Sequence, residues 1–202
     1  LLGGVLGTAP FAGADRFVGE WLSSLRTPVA DHLMVFLTAP GDPWFLALVA
    51  LAVFAALRID DRRSAWYWMA AVAFAFAAPI LVKFALQVPR PHTPEGYSQW
   101  GFPSAHALRT VVIYGFLAVV ASSLSPVGRR WPYYLAAMLL AVLVGFSHVY
   151  LGVHWLSDVL GGVVLGLLWV AALGIAYRHH PHGYPRRRRV ALALVTAALV
   201  AM

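Results

Sequence analysis

Cysteine is absent from the 202 residues of the chain, and charged residues make up only 11% of them. Without thiols, the chain can neither form disulfides nor use a thiolate as nucleophile or zinc ligand. A soluble domain carries about 25% charged residues, so the shortage of charge argues against a soluble protein. Apolar residues account for 61% of the chain and its mean hydropathy is +0.74, which favours a single membrane-embedded domain.

Long apolar runs predict an all-α, polytopic bundle with about five complete transmembrane spans. The runs cover residues 43–57, 64–86, 107–124, 132–146 and 155–177, and a spanning helix needs about 20 such residues. Residues 15–37 differ, because apolar side chains recur there at helical spacing with charges between them. This segment, interrupted near Pro28, predicts an N-terminal amphipathic helix that lies at the membrane interface or packs on the bundle.

Arginines are concentrated in alternate connections between the apolar runs. They are Arg58, Arg62 and Arg63, then Arg129 and Arg130, then Arg178 and residues 186–189. Basic loops remain in the cytoplasm, so these connections predict one cytoplasmic face and explain the net charge of +7 without nucleic acid. The other connections, residues 87–106 and 147–154, hold nearly all the reactive side chains and face the periplasm or cell exterior of the plasma membrane.

The first reactive motif is Lys83-x6-Arg90-Pro91. A lysine within an apolar helix is costly unless it faces a polar cavity. Seven residues make almost two helical turns, so Lys83 and Arg90 share a face and predict an anion site. The alternative is that both side chains extend to the membrane surface.

The second motif is Pro103-Ser104-Ala105-His106. Ser104 is placed to cap a helix whose N-terminal amides favour a bound phosphate, with His106 in the first turn beside it. Arg109 follows one turn later. Contact between Arg109 and lipid headgroups is the favoured interpretation, and help in binding the anion is the alternative.

The third motif is Ser147-His148-x5-His154-x3-Asp158. His154 and Asp158 are four residues apart, hence adjacent on one helical face. A carboxylate fixes the tautomer of an imidazole and leaves its other nitrogen to attack, although the pair is also suited to capping the last helix. Gly161, Gly162 and Gly166 predict close contact between this helix and those that bear the other motifs.

In order and spacing, the three motifs resemble the type 2 phosphatidic acid phosphatase family, whose pattern is Lys-x6-Arg-Pro, Pro-Ser-Gly-His and Ser-Arg-x5-His-x3-Asp. The resemblance implies a phosphatase that needs no metal or other cofactor. It implies that His154 attacks phosphorus, Asp158 orients His154, and His106 acts as acid and then base. It also implies a set of groups that hold the phosphoryl oxygens: Lys83, Arg90, Ser104 and the backbone near Ala105.

This sequence departs from the family pattern at two positions. Ala105 replaces glycine, a small change if the residue is helical. His148 replaces arginine, and we hypothesise that His148 still binds the phosphoryl group as an imidazolium. A catalytically weak lipid-phosphate-binding relative remains an alternative, as does an intramembrane serine hydrolase with Ser104 or Ser147 as nucleophile.

The location of the motifs, the resemblance and the composition of the two ends together predict the partners and the domain organisation. The expected substrate is a lipid phosphate or diphosphate, such as undecaprenyl diphosphate, phosphatidic acid or phosphatidylglycerol phosphate, in contact with membrane lipids. We expect the phosphatase domain at 13–178 and a basic cytoplasmic tail at 179–189. Residues 1–12 and 190–202 are expected to be truncated transmembrane helices, with possible fused membrane domains beyond them.

Overall fold

A computed structural model describes residues 11–91 and 98–179, which fold into α-helices joined by short connections. The α-helices of this part are α1 (Ala12–Ser24), α2 (Pro28–Thr38), α3 (Pro43–Asp60), α4 (Arg62–Leu86), α5 (Ala105–Ser123), α6 (Trp131–Tyr150) and α7 (Leu156–Arg178). The predicted all-α fold is confirmed. The tail and both truncated helices expected at the ends of the chain fall almost wholly outside the described residues.

Polar side chains at the connections set where several helices begin. Asp42 accepts a hydrogen bond from the Trp44 amide at the start of α3. Asp61 does the same for the amides of Arg63 and Ser64 at the start of α4. Such caps provide acceptors for the first amides of a helix, which have no partner within it. The caps therefore fix the residues at which α3 and α4 begin.

Five helical segments of the described part are long and apolar enough to cross a membrane, as predicted. The first of them runs over Pro28–Ile59 and joins α2 to α3, although residues 28–37 were expected to belong to the amphipathic segment. Within α2, Asp31 in the first turn is the only Asp, Glu, Lys or Arg residue, and His32 and Thr38 are the other polar residues. The predicted break near Pro28 is present, since α1 ends at Ser24 and α2 begins at Pro28.

Helix α5 is the centre of the bundle. It packs against α3, α4, α6 and α7, and 83% of its span is buried, whereas the other candidate spans are 22% to 39% buried. Trp68, Phe116 and Tyr177 are the largest fully buried side chains of the described residues, and the rings of Trp68 and Tyr177 both contact Phe116 on α5. A helix surrounded by others can carry polar groups in its first turn away from lipid, which suits α5 to present His106.

The predicted close contact of α7 is confirmed at two glycines. A Cβ atom at Gly162 would lie 2.6 Å from the Ser104 carbonyl oxygen, and one at Gly166 would lie 2.8 Å from a Val111 methyl group. Only glycine allows the backbones of α5 and α7 to approach this closely. The contact brings the first turns of these two helices together.

The basic connections meet at one end of the bundle. The Ser64 and Tyr177 hydroxyl groups are 3.1 Å apart, and Arg178 donates a hydrogen bond to the Tyr134 hydroxyl. These contacts join the start of α4, the start of α6 and the end of α7. The 98–104 segment and residues 151–155 therefore lie at the opposite end, as the alternation of the spans predicts.

Candidate active site

Lys83 lies in the last turn of α4 and is only 9% exposed. Its Nζ donates hydrogen bonds of 2.7 Å to the carbonyl oxygens of Trp100 and Gly101. These carbonyls reach Lys83 because the chain after α4 folds back, with Pro89 bridged to Trp100. The ammonium group therefore faces a polar site at the end of the span, as predicted for a lysine in an apolar helix.

Arg90 connects the same segment to the start of α7. Its Nε donates to the carbonyl oxygens of Ser98 at 2.7 Å and Trp100 at 3.2 Å. Its Nη1 lies 3.1 Å from both the Val153 carbonyl oxygen and Nε2 of His154. A guanidinium group carries only donors, so Nε2 of His154 must be the acceptor.

His154 is 2% exposed, and its Nδ1 lies 3.2 Å from Oδ2 of Asp158. Since Nε2 accepts from Arg90, the ring proton is on Nδ1 and is donated to Asp158. Burial, followed by the positive charges of Arg90 and Lys83, holds the pKa of His154 well below its usual value. The imidazole is therefore neutral at neutral pH, with the lone pair of Nε2 directed toward the cations.

Asp158 connects three parts of the site. Its Oδ2 also accepts a hydrogen bond of 3.1 Å from the Trp155 amide, and its carbonyl oxygen accepts one of 2.9 Å from the Ser104 amide. Ser104 in turn caps α5 by accepting from the Ala107 amide at 3.5 Å. A Cβ atom at Gly101 would lie 2.6 Å from Oδ2 of Asp158, so the 98–101 segment also requires a glycine here.

The histidines of the second and third motifs form one cluster. The ring centroids of His106 and His148 are 4.3 Å apart, and those of His148 and His154 are 5.6 Å apart. His148 is 4% exposed, and neither of its ring nitrogens has a hydrogen-bond partner among the described residues. Buried polar atoms normally have partners, so these nitrogens have unused capacity to bind a ligand.

A cavity of about 460 Å³ opens beside this cluster. Of the predicted phosphate-binding and catalytic residues, Lys83, Arg90, Ala105 and His106 line it. His154, His148, Asp158 and Ser104 are not part of the lining, and His154 is connected to it by its hydrogen bond with Arg90. The remaining lining residues are Asp42, Pro43, Trp44, Pro79, Ile80, Ser98 and Arg109.

Several residues of the site were not predicted from the sequence. The turn before α3, interpreted only as a connection, brings Asp42 to the cavity, and a Cβ atom at Gly41 would lie 3.5 Å from the His106 ring. Arg109 lines the cavity and lies 5.0 Å from the centre of the Phe76 ring, although contact with headgroups was the favoured interpretation. The three-residue spacing between Arg109 and His106 could have predicted this position, because residues three apart lie on the same helical face.

Helix α1 contacts the site from the opposite side. Asp15 accepts hydrogen bonds from the Ser157 amide at 2.9 Å and the Ser157 hydroxyl at 2.6 Å. Ser157 lies in the first turn of α7, between His154 and Asp158 in sequence. Helix α1, in the predicted amphipathic segment, thus holds the first turn of α7, next to the candidate nucleophile His154.

The two candidate serine nucleophiles have other partners. The Ser147 hydroxyl donates to the Val144 carbonyl oxygen at 2.8 Å, and the Ser104 hydroxyl caps α5. Within the described ranges, neither serine is hydrogen-bonded to His154. In these same ranges, no three His, Asp or Glu side chains are grouped so as to hold a metal ion.

Fold and site together define a class: a helical membrane protein with a pocket of cations and histidines at one end of its bundle. Residues 64–181 match the family model of the PAP2 superfamily, and the chain belongs to this family. The family predicted from the three motifs is therefore confirmed.

Named relatives of this chain are phosphatases. Over 73 residues it is 42% identical to phosphatidylglycerophosphatase B of Bacillus subtilis, an alignment that covers 35% of this chain and 36% of that protein. Over 154 residues it is 31% identical to decaprenylphosphoryl-5-phosphoribose phosphatase of Mycobacterium tuberculosis, covering 71% of this chain and 81% of the relative.

A solved structure has a similar fold over nearly the whole chain. It is the crystal structure of a transmembrane PAP2-type phosphatidylglycerolphosphate phosphatase from Bacillus subtilis, with a TM-score of 0.78 and 25% identity. The superposition covers 91% of this chain and 94% of the other. Similarity over this length confirms the membrane-helical fold predicted from the apolar runs.

Proposed function

We propose that this chain is a membrane phosphatase that hydrolyses lipid phosphates or diphosphates through a phosphohistidine intermediate and needs no metal. One observation carries the proposal: His154 lies between Asp158 at 3.2 Å and Arg90 at 3.1 Å, with its Nε2 lone pair toward the cations. A neutral imidazole backed by a carboxylate and facing an anion site is a nucleophile prepared for phosphorus.

In the first step, Nε2 of His154 attacks phosphorus. The new P–N bond forms as the P–O bond to the lipid breaks, and the bonding electron pair goes to the lipid oxygen. His106 donates a proton to that oxygen, while Asp158 stabilises the positive imidazole ring. Position supports these roles, because His106 lines the cavity and His154 lies next to its cations.

In the second step, His106 accepts a proton from water as the water oxygen attacks phosphorus. The P–N bond breaks, its electron pair returns to Nε2, and inorganic phosphate leaves. The lipid alcohol, or the lipid monophosphate when the substrate is a diphosphate, has already departed. His106 is then protonated again and ready for another cycle.

Lys83 and Arg90 bind the phosphoryl oxygens in this proposal. Without substrate their donors are directed at backbone carbonyls and at His154, so a phosphate replaces these acceptors and uncovers Nε2. Charged donors placed around the phosphoryl group stabilise its transition state without reorganisation. The amides at the start of α5, near Ser104 and Ala105, add further donors.

His148 completes the phosphate site in place of the family arginine. Both of its ring nitrogens lack partners among the described residues, and a phosphoryl oxygen supplies one. The anion favours the imidazolium form, which then donates from two nitrogens. The charged and titratable groups around His148 are His106, His154 and Arg90.

An amphiphilic substrate fits the cavity. Besides the cations, the lining includes Trp44, 81% exposed on α3, and Ile80, 62% exposed on α4. These apolar side chains face the lipid region, so the hydrocarbon chain of a substrate can remain in the membrane. The names of two relatives also refer to lipid-linked phosphates.

The arginines of the opposite end favour a cytoplasmic position for that end. The site then opens at the outer face of the plasma membrane, toward the periplasm or cell exterior. A lipid phosphate that reaches this face presents its headgroup at the depth of Lys83 and Arg90.

The test is phosphate release in detergent with EDTA from phosphatidic acid, phosphatidylglycerol phosphate and undecaprenyl diphosphate. We expect hydrolysis of at least one of them by the wild type and a loss of more than about a thousandfold in His154→Ala. Ser104→Ala should only reduce the rate, whereas abolition would favour the serine hydrolase. Tight phosphate binding without hydrolysis of any substrate would favour a lipid-phosphate-binding protein.

A further inference from the structure

Arg109 occupies a position in the cavity that the proposed mechanism does not use. It lies three residues after His106 on α5, so both side chains share a face and Arg109 is one turn deeper in the membrane. Its guanidinium lies 5.0 Å from the Phe76 ring, and Phe76 is two turns deeper on α4 than Lys83. Arg109 is therefore on the membrane side of the cations that hold the transferred phosphoryl group.

Arg109 is half-buried, and its guanidinium contacts the Phe76 ring but no carboxylate among the described residues. Its Nε is buried and has no hydrogen-bond partner, and it forms no ion pair with any residue that the structure describes. Asp42 lines the same cavity, but its carboxylate caps α3 by accepting from the Trp44 amide at 2.8 Å. A half-buried cation whose buried Nε has no acceptor is costly at this depth in a membrane, so a ligand anion at this point would be stabilised.

The orientation of a lipid substrate in the membrane indicates which anion would reach Arg109. The transferred phosphoryl group lies with Lys83 and Arg90, and the lipid chain must run toward the membrane interior. The leaving group then passes His106, which protonates it, and reaches the depth of Arg109. A second negative charge on the substrate, one or two bonds beyond the broken P–O bond, would therefore meet the guanidinium.

We propose that Arg109 forms a second anion subsite that binds a charged leaving group, so that the enzyme prefers lipid diphosphates over monophosphates with uncharged leaving groups. This inference rests on the proposed function and specifies its substrate class. Arg109 stabilises the departing phosphate oxygens through charged hydrogen bonds. It acts in substrate choice and not in the attack of His154.

The experiment compares farnesyl diphosphate with farnesyl monophosphate, which share one hydrocarbon chain. In Arg109→Gln we expect kcat/KM for the diphosphate to fall about ten- to hundredfold, with a much smaller loss for the monophosphate. Arg109→Lys should give an intermediate ratio, because it retains charge but not the planar fork. Arg58→Gln, at the opposite end of the bundle, is the matched control and should leave the ratio unchanged.

Binding without turnover separates this inference from the proposed function. In wild type, imidodiphosphate should bind at least about tenfold more tightly than orthophosphate, and Arg109→Gln should remove that difference. Equal losses for both anions, or no loss for either, would overturn the second subsite even if the protein hydrolyses lipids. If no lipid substrate is hydrolysed, the proposed function fails while these binding constants still decide the role of Arg109.

Discussion

The two ends of the bundle both carry basic residues but place them in different surroundings. At the cytoplasmic end proposed here, Arg58, Arg62 and Arg129 are exposed. At the other end, Lys83 is buried and Arg90 is half-buried, and both donate hydrogen bonds to backbone carbonyl oxygens. A cation held by such hydrogen bonds has a defined position from which it can bind a ligand. An exposed arginine affects only which side of the membrane its end of the helix occupies.

The same contrast runs along α7. Near its start the helix lies directly against α5, where Gly162 meets the Ser104 carbonyl oxygen. Near its end, a Cβ atom at Gly174 would meet only Val119 methyl groups, at 3.5 Å or more. Close backbone contact is thus concentrated where the catalytic groups must meet, and looser side-chain packing holds the rest of the helix.

Removing a positive charge at the end of the bundle that contains the candidate active site should have the largest effect on activity. Arg90→Gln is expected to lower kcat/KM for lipid phosphate at least about a hundredfold, because a charged donor to the transition state is lost. Arg129→Gln, at an exposed position of the opposite end, should change kcat/KM less than about twofold. Equal effects of the two substitutions would remove the distinction between the ends.

The second-largest effect is expected when a methyl group is added at the close contact between α5 and α7. Gly162→Ala places a methyl group against backbone, so we expect a loss of about 1–3 kcal/mol in unfolding free energy and reduced activity. Gly174→Ala should be neutral or stabilising by up to about 1 kcal/mol, since alanine favours a helix. Thermal unfolding in detergent measures both, and a stable, active Gly162→Ala protein would contradict the role given to this contact.

The pH profile tests His148 against the family arginine. As pH falls from about 8 to about 6, wild-type activity should rise severalfold more than that of His148→Arg, because only the wild type gains an imidazolium at this position. His154 does not interfere, since its lowered pKa keeps it neutral until the pH falls below the usual histidine value. Identical profiles would exclude His148 as a titrating phosphate ligand.

The smallest effect is expected at the contact between α1 and α7. Asp15→Ala removes both acceptors of Ser157 and should lower kcat about two- to fivefold with little change in KM, because a lost cap loosens the turn beside His154. Asp31→Ala is the control, since it breaks an exposed ion pair with Arg26 that does not touch α7. If kcat in Asp15→Ala matched that of the control, α1 would have no positioning role.

The long apolar runs predicted the spans well because lipid imposes a strict requirement on length and polarity. The predicted runs agree with α3 to α7, with helix ends shifted by a few residues. The assignment of residues 28–37 was less successful, since helical spacing alone does not separate an interfacial helix from the first turns of a span. Only packing against neighbouring helices makes that distinction.

The candidate site was predicted as far as its motifs reach. Lys83, Arg90, His106, His154 and Asp158 converge in space, although their catalytic roles remain predictions. Spacing did not predict the carbonyl partners of Lys83 or the place of Asp42, because both depend on how the chain folds back after a helix. The sequence also did not determine where the Arg109 side chain points. One turn after His106, a side chain can extend to the lipid headgroups or into the cavity.

The most direct test of the account is whether a phosphoryl group becomes attached to His154. Protein mixed with radiolabelled lipid phosphate and quenched in alkaline detergent should retain label that acid removes, as expected for phosphohistidine. The label should map to His154 and be absent in His154→Ala. Release of phosphate with no labelled protein in a single turnover, or label on Ser104, would contradict the account.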